Sequence, residues 1–312
     1  MISVFGASGF LGSEICNSLS SEGRKIDAVL RKTSDTWRLE GSVTLERIHL
    51  EQQQWRDYLN EKKPTAVVAA NWSGVSKKQR HDLKIQYANL ESVMELARYS
   101  KSAGIKKFIA FGSQGEVLNS SSLIDENFTE PQGDSYGQMK SKLGLILRDY
   151  FENSNTQLIW LRPFSVYGPK DSNESLIPQI FQAARSNSRF KISNPGLMWS
   201  ALHVSDFGSA VKKIIEAENL EGVINIGNPN PISIYEYAKT VEVELQVTFP
   251  SWEGCNLRKQ PECEGKIPKV EKLRKLGWSP EFNLKAGVED TINWLNAITS
   301  QKPMSLDSNE VK

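Results

Sequence analysis

Short apolar runs and longer mixed stretches alternate along the first half of this chain. The runs Ile2–Phe5, Ile26–Leu30, 43–48, 66–70, 108–111 and 158–161 have the length of buried β-strands. Between them, residues 9–19, 85–102 and 136–151 carry apolar positions three and four apart, the spacing of one helix face. Gly104 is a stop signal for the second of these helices. Strands alternating with helices predict an α/β fold built on a doubly wound parallel sheet, a Rossmann fold. After Pro163 the texture changes, with more Gly and Pro and shorter strands. The pattern predicts a dinucleotide-binding domain over 1–165 and a smaller α/β substrate lobe over 166–300. Within that lobe, residues of about 201–228 can return to the first domain. The polar, aperiodic stretch 301–312 predicts a disordered tail.

Composition narrows the chemistry. The chain has 312 residues and a formal net charge of +1, so no global charge drives it toward nucleic acid or membrane. The short basic run Lys77-Lys78-Gln79-Arg80-His81 lacks interleaved aromatics and reads as a solvated helix start. Cys16, Cys255 and Cys263 match neither a disulfide framework nor a CxxC spacing, and His49, His81 and His203 are scattered. Reduced thiols, no metal site and a cytoplasmic location are the expectations. No apolar run has the length of a membrane span, and the first strand ends at once in glycine rather than continuing as a signal peptide.

Two motifs carry the chemistry. Gly6, Gly9 and Gly12 follow a strand and open a helix. That context suits a dinucleotide: a tight turn, close approach of the pyrophosphate to backbone, close packing of helix on strand, and free N–H groups at a helix N-terminus. After the second strand comes Arg31-Lys32-Thr33-Ser34, whereas Asp27 lies too early to meet the adenosine ribose. Arg31 can pair with a 2′-phosphate and Ser34 can add a hydroxyl, which favours NADP(H) over NAD(H). The alternative is that Arg31 is a solvated surface charge. Downstream, Tyr136 and Lys140 stand four apart on one helix face. The ammonium is expected to lower the tyrosine pKa so that it can exchange a proton with a carbonyl or alcohol. Ser113, just past a strand end, can polarise the same oxygen.

With these residues in place, the chain resembles the extended short-chain dehydrogenases/reductases that act as nucleotide-sugar epimerases, dehydratases and reductases. GASGFLG resembles the family's opening loop, KKFIAFGS its strand delivering the catalytic Ser or Thr, and LRPFSVYGP a segment bordering the nicotinamide. ALHVSDFGSA resembles the stretch that brings His203 and Asp206 near the sugar. The resemblance implies catalysis by Ser113, Tyr136 and Lys140. It implies a cofactor site formed by Gly6, Ser8, Gly9, Phe10, Leu11, Gly12, Arg31, Ser34, Leu50, Ala69, Ala70, Asn71, Asn89, Tyr136, Lys140, Pro163 and Val166. On the substrate side it implies Ser73, Ser113, Gln114, Ser165, Trp199, His203 and Arg258. Trp199 and His203 can equally be packed core residues, and Arg258 a surface arginine.

Departures refine the expectation. Family 4,6-dehydratases carry Asp-Glu directly after the catalytic Thr; here Gln114-Gly115 follow Ser113, and Glu116 is one place too far. Val117-Leu118 replace the usual Tyr-Gly, Ser165 replaces a common Asn, and Trp72 is an unusual aromatic after the fourth strand. The strings around Gln114 and Trp199 resemble a branch that includes 4-ketoreductases. The implied activity is NADPH-dependent reduction of a nucleotide-linked 4-keto-6-deoxyhexose. A C4 epimerase with retained NAD and a non-catalytic nucleotide sensor are the alternatives. The resemblance also implies a homodimer through the helices near 85–102 and 136–151.

Overall fold

The computed structural model describes residues 1–301 except 22, 40–44, 77, 118–122, 132, 187, 189–191, 193 and 248–264. Arg258, Cys255, Cys263 and the tail beyond residue 301 therefore lie outside the described residues. Ile2–Phe5 (β1), Ile26–Leu30 (β2), Leu45–His49 (β3), Ala66–Ala69 (β4) and Lys107–Phe111 (β5) join the strands Gln157–Pro163 and Gly222–Ile226 in one sheet of seven. Every pairing in it is parallel. From one edge the order is Gly222–Ile226, Gln157–Pro163, β5, β4, β1, β2, β3. The strand order reverses beside β1, which opens a crevice at the carboxyl ends of β1 and β4.

Helices cover both faces because strand side chains alternate. On one face Val4, Ala28, Val68, Ile109, Ile159 and Ile224 pack with Ile15 and Leu19 of α1 (Phe10–Ser20). Phe207, Val211 and Ile214 of the helix Val204–Glu216 complete this core. On the other, Phe5, Val67, Phe108 and Trp160 meet α2 (Trp55–Lys62), α3 (Leu83–Ser102) and α4 (Ser135–Phe151). The pattern of α2 is faint in the sequence, because only Trp55, Tyr58 and Leu59 of its eight residues are buried.

The stretch after residue 200 contributes to the first sheet: Gly222–Ile226 pairs with Gln157–Pro163, Val223 opposite Trp160. Helix Val204–Glu216 lies against α1 where Gly208 leaves no room for a side chain, since a Cβ there would stand 2.1 Å from Ser18 Oγ. A third core joins the helices Leu176–Arg185, Ile234–Leu245 and Leu284–Gln301 through Ile180, Phe181, Tyr237, Val241, Val288 and Ile292. Among the described residues no helix is long and apolar enough to cross a membrane, and no His/Cys/Asp/Glu group could hold a metal ion.

Candidate active site

The glycine loop works through backbone proximity. Gly6 has φ +78°, and a Cβ on it would lie 2.5 Å from the Ala70 carbonyl; one on Gly12 would lie 2.3 Å from Gly6 O. Helix α1 starts at Gly9 without a side-chain cap, which leaves its first-turn N–H groups, on Phe10, Leu11 and Gly12, facing the loop. A cavity of about 390 Å³ opens there. Of the residues expected around a cofactor, Gly6, Ser8, Gly9, Arg31, Ser34, Leu50, Ala70, Asn71 and Asn89 line it, and so does Ser73. The Asn71 Oδ1 inside it is buried without a hydrogen-bond partner. An uncapped helix start, a cradle that a Cβ would fill and an unpartnered acceptor fit a dinucleotide. Arg31 is exposed, and its N–H donates to Ser34 Oγ at 3.0 Å, which shapes the turn beside the cavity. Ala69 is the buried end of β4. Pro163 ends its strand two positions before Ser165 and Val166 follows that serine, whose Oγ donates to Gln114 Oε1 at 3.1 Å.

Ser113, Tyr136 and Lys140 converge past the end of β5. Ser113 Oγ accepts from Gly115 N at 3.0 Å and acts on the Tyr136 hydroxyl closely enough to lower its pKa. Asp134 caps α4 by accepting from Gly137 N at 2.9 Å, so Tyr136 sits in the first turn of a fixed helix. One turn on, Lys140 Nζ donates to Phe111 O at 2.7 Å.

The electrostatics differ from the sequence expectation. Burial pushes the Tyr136 phenol above its ordinary value, while the Ser113 hydrogen bond and the Arg80 guanidinium pull it back. Burial brings Lys140 down to about 7, opposed by the Glu116 carboxylate. Lys140 Nζ lies 3.7 Å from the centre of the Trp72 ring but 5.8 Å from that of Tyr136. The expectation that the Lys140 ammonium lowers the Tyr136 pKa is thus corrected, because burial dominates at the phenol and that ammonium is engaged by a carbonyl and an indole face.

Other expectations resolve into packing. Of its two sequence readings, His203, 2% exposed, matches the packed core residue, and it also caps a helix: its Nδ1 accepts from Ser205 N, and its ring stacks on Phe282 at 4.0 Å. Its Nε2 is 3.3 Å from Asp290 Oδ2 without hydrogen-bond geometry, and burial lowers its pKa to about 4. Asp206 accepts from Glu281 N and Phe282 N and so pins the C-terminal segment. Trp199 packs edge-on against Tyr237 at 4.9 Å. Glu116 is 1% exposed and held by Arg162, Trp160 and the Ser113 N–H, so both of its carboxylate oxygens are engaged.

Sequence reading assigned no role to four contributors. Trp55 and Glu51 line the cavity beside Leu50, and Trp72 bridges it to Lys140 and Tyr136. Arg80, read as part of a solvated run, stands over the Tyr136 ring at 4.8 Å. Only the oddity of an aromatic after β4 gave a signal for any of them.

Comparison with known proteins agrees with this geometry. GDP-mannose 3,5-epimerase 1 of Oryza sativa subsp. indica is 25% identical over 98% of this chain and 84% of its own length. GDP-L-fucose synthase 1 of Arabidopsis thaliana is 23% identical over 94% and 92%. dTDP-D-glucose 4,6-dehydratase of Mus musculus is 25% identical over 67% of this chain, and the chain spans 61% of that relative. UDP-glucuronic acid 4-epimerase from Bacillus cereus, solved with NAD, superimposes with TM-score 0.80 at 19% identity, covering 95% and 99% of the two chains. At that identity the likeness speaks to the fold. Residues 2–227 match the NAD dependent epimerase/dehydratase family, and the chain belongs to that family.

Proposed function

We propose that the protein is an NAD(P)-dependent oxidoreductase of a nucleotide-linked sugar, reducing a 4-keto-6-deoxyhexose. The observation that carries this reading is the convergence of Ser113, Tyr136 and Lys140, joined to the glycine-loop cavity by Trp72, which lines that cavity and packs on Tyr136 and Lys140. A nicotinamide dinucleotide bound in that cavity supplies the hydride. Tyr136 gives its proton to the ketone oxygen, Ser113 holds the same oxygen by a hydrogen bond, and Lys140 fixes the base of the site through Phe111 O. Gly6, Ser8, Gly9 and the α1 N-terminus would hold the dinucleotide's pyrophosphate, and Arg31 with Ser34 would favour the 2′-phosphorylated form. Dehydration is unsupported: Gln114 is neutral and bonded to Ser165, and Glu116 is sequestered by Arg162.

A second reading, C4 epimerisation with retained NAD, draws support from fold neighbours solved with NAD, among them a UDP-glucose 4-epimerase from Thermus thermophilus. Mass spectrometry of the cofactor released from freshly purified protein, followed by NADPH and NADH titration, separates the two. An empty site that prefers NADPH supports reduction. Tightly held NAD would replace it with epimerisation. The proposal extends to the 1–165 and 166–300 division, with about 201–228 returning to the first domain, to a cytoplasmic setting, and to a homodimer. Exposed Leu83 and Tyr87 on α3 and Ile146 on α4 support that dimer.

A further inference from the structure

We propose that Arg80 is the positioning cation of Tyr136, held by Asp134 so that its charge favours the phenolate as the proton moves. This rests on Tyr136 as the proton-transfer group and adds a residue to that reading.

The geometry is specific. The Arg80 guanidinium carbon lies 4.8 Å from the Tyr136 ring centre, and Arg80 Nε is 2.7 Å from Asp134 Oδ2. Asp134 is itself fixed, because its other oxygen caps α4 through Gly137 N. Gly115 shows how closely the groups meet. A Cβ placed on it would be 3.3 Å from Arg80 Nη2, 3.4 Å from Ser113 Oγ and 3.5 Å from Tyr136 Cδ1. Arg80 also stands on an anchored loop. Its N–H donates to Ser76 O, Gln86 Nε2 donates to Gly74 O and Gln79 O, and Asn89 clamps Ser73 through three hydrogen bonds. The Arg80 side chain keeps 32% of its surface exposed, so solvent moderates its field.

The charges around Tyr136 come from four directions. Asp134 and Lys140 belong to α4, Glu116 to the turn after Ser113, Arg80 to the loop before α3, and Lys266 to the C-terminal segment near Arg80 and Asp134. Glu116 is neutralised by Arg162, Lys140 is engaged by Phe111 O and Trp72, and Lys266 Nζ is engaged by Gln114 O. Arg80 is the cation whose face meets the phenol. Consistently, it is the charged group that pulls Tyr136 down against burial.

The test needs no substrate, so it stands apart from the assignment of activity. Acetylimidazole acylates phenolate, and below the tyrosine pKa the rate falls about ten-fold for each unit that the pKa rises. Tyr136 acetylation is measured by peptide mass spectrometry at mildly alkaline pH in wild type, Arg80→Gln and Arg80→Lys. Half-buried Tyr235, in the helix Ile234–Leu245 and off the α3–α4 face, serves as the internal reference. The expected result is a slowing of about ten-fold in Arg80→Gln, most of the rate restored in Arg80→Lys, and Tyr235 unchanged. Uncovering the ring would speed the reaction, so a slowing cannot come from exposure. An Arg80→Gln rate equal to or above wild type overturns the proposal, as does an equal slowing in Arg80→Lys. If no nucleotide sugar is turned over but Tyr136 slows as expected, the activity assignment fails and Arg80 keeps its role.

Discussion

Tyr136 shows how a catalytic side chain is set by neighbours that its own helix does not supply. Its hydroxyl meets Ser113 from the preceding strand end, and its ring meets Arg80 and Trp72 from the loop after β4. Tyr136→Phe keeps the ring and removes the proton. It is expected to lower turnover by about 10²–10⁴-fold with cofactor affinity unchanged, read by steady-state kinetics and a binding titration; a Phe variant with wild-type turnover contradicts this. At the other end of the cavity Arg31 is exposed and free to reach a phosphate. Arg31→Ala should weaken NADPH at least about ten-fold more than NADH, the worth of one charge-assisted contact. Equal losses would assign the residue to the surface. The sequence displayed Ser113, Tyr136 and Lys140 because strand ends and four-residue spacing are local features. It hid Arg80 because an arginine in a polar run looks the same whether it faces water or a tyrosine 56 positions on. His203 stayed open between pocket and core for a related reason: a polar residue beside a conspicuous motif can be the cap that starts the helix.

Elements were legible in proportion to how much of their physics is local. The strands of the sheet are short apolar runs ended by polar or glycine positions, and the Gly6–Gly12 loop encodes its own turn through φ +78° at Gly6. Helix α2 was not legible, because three buried residues on a charged octamer make too weak a period. The Glu116–Arg162 pair, with both members at most 1% exposed, links elements 46 positions apart and exists only in the folded chain. The contact between α1 and Val204–Glu216 carries a pH signature of the same tertiary kind. There Glu14 accepts from Ser18 Oγ, and burial raises its pKa from 4.5 to about 7. The unfolded chain releases this proton near 4.5 and the folded chain near 7, so stability from this group is lost as pH rises through that window. Glu14→Gln should therefore raise the melting temperature above about pH 7 by roughly 2–4 °C and leave it unchanged below 4.5. Calorimetry at the two pH values checks this; a gain at low pH alone reverses the sign and refutes it.

At the scale of the whole molecule, the sheet places the glycine loop, the Ser113 strand end and the first turn of α4 around one crevice. The later segments then lock onto it. Asp206 grips residues 281 and 282, and Lys266 reaches Gln114 O beside the site. The α3–α4 surface, with Leu83, Tyr87 and Ile146 exposed, is the face proposed above for a second copy. Tyr87→Glu with Ile146→Glu should convert a dimer to monomers in light scattering, and a monomeric wild type would contradict the assignment. The central claim is that hydride passes between a nicotinamide and a nucleotide-sugar carbon under Tyr136. The most direct measurement incubates the protein with C4-deuterated NADPH and a nucleotide 4-keto-6-deoxy sugar, then weighs the sugar product. The account predicts one deuterium bonded at C4 in wild type and none in Tyr136→Phe. A sugar recovered without deuterium from wild-type protein that binds both ligands would contradict it.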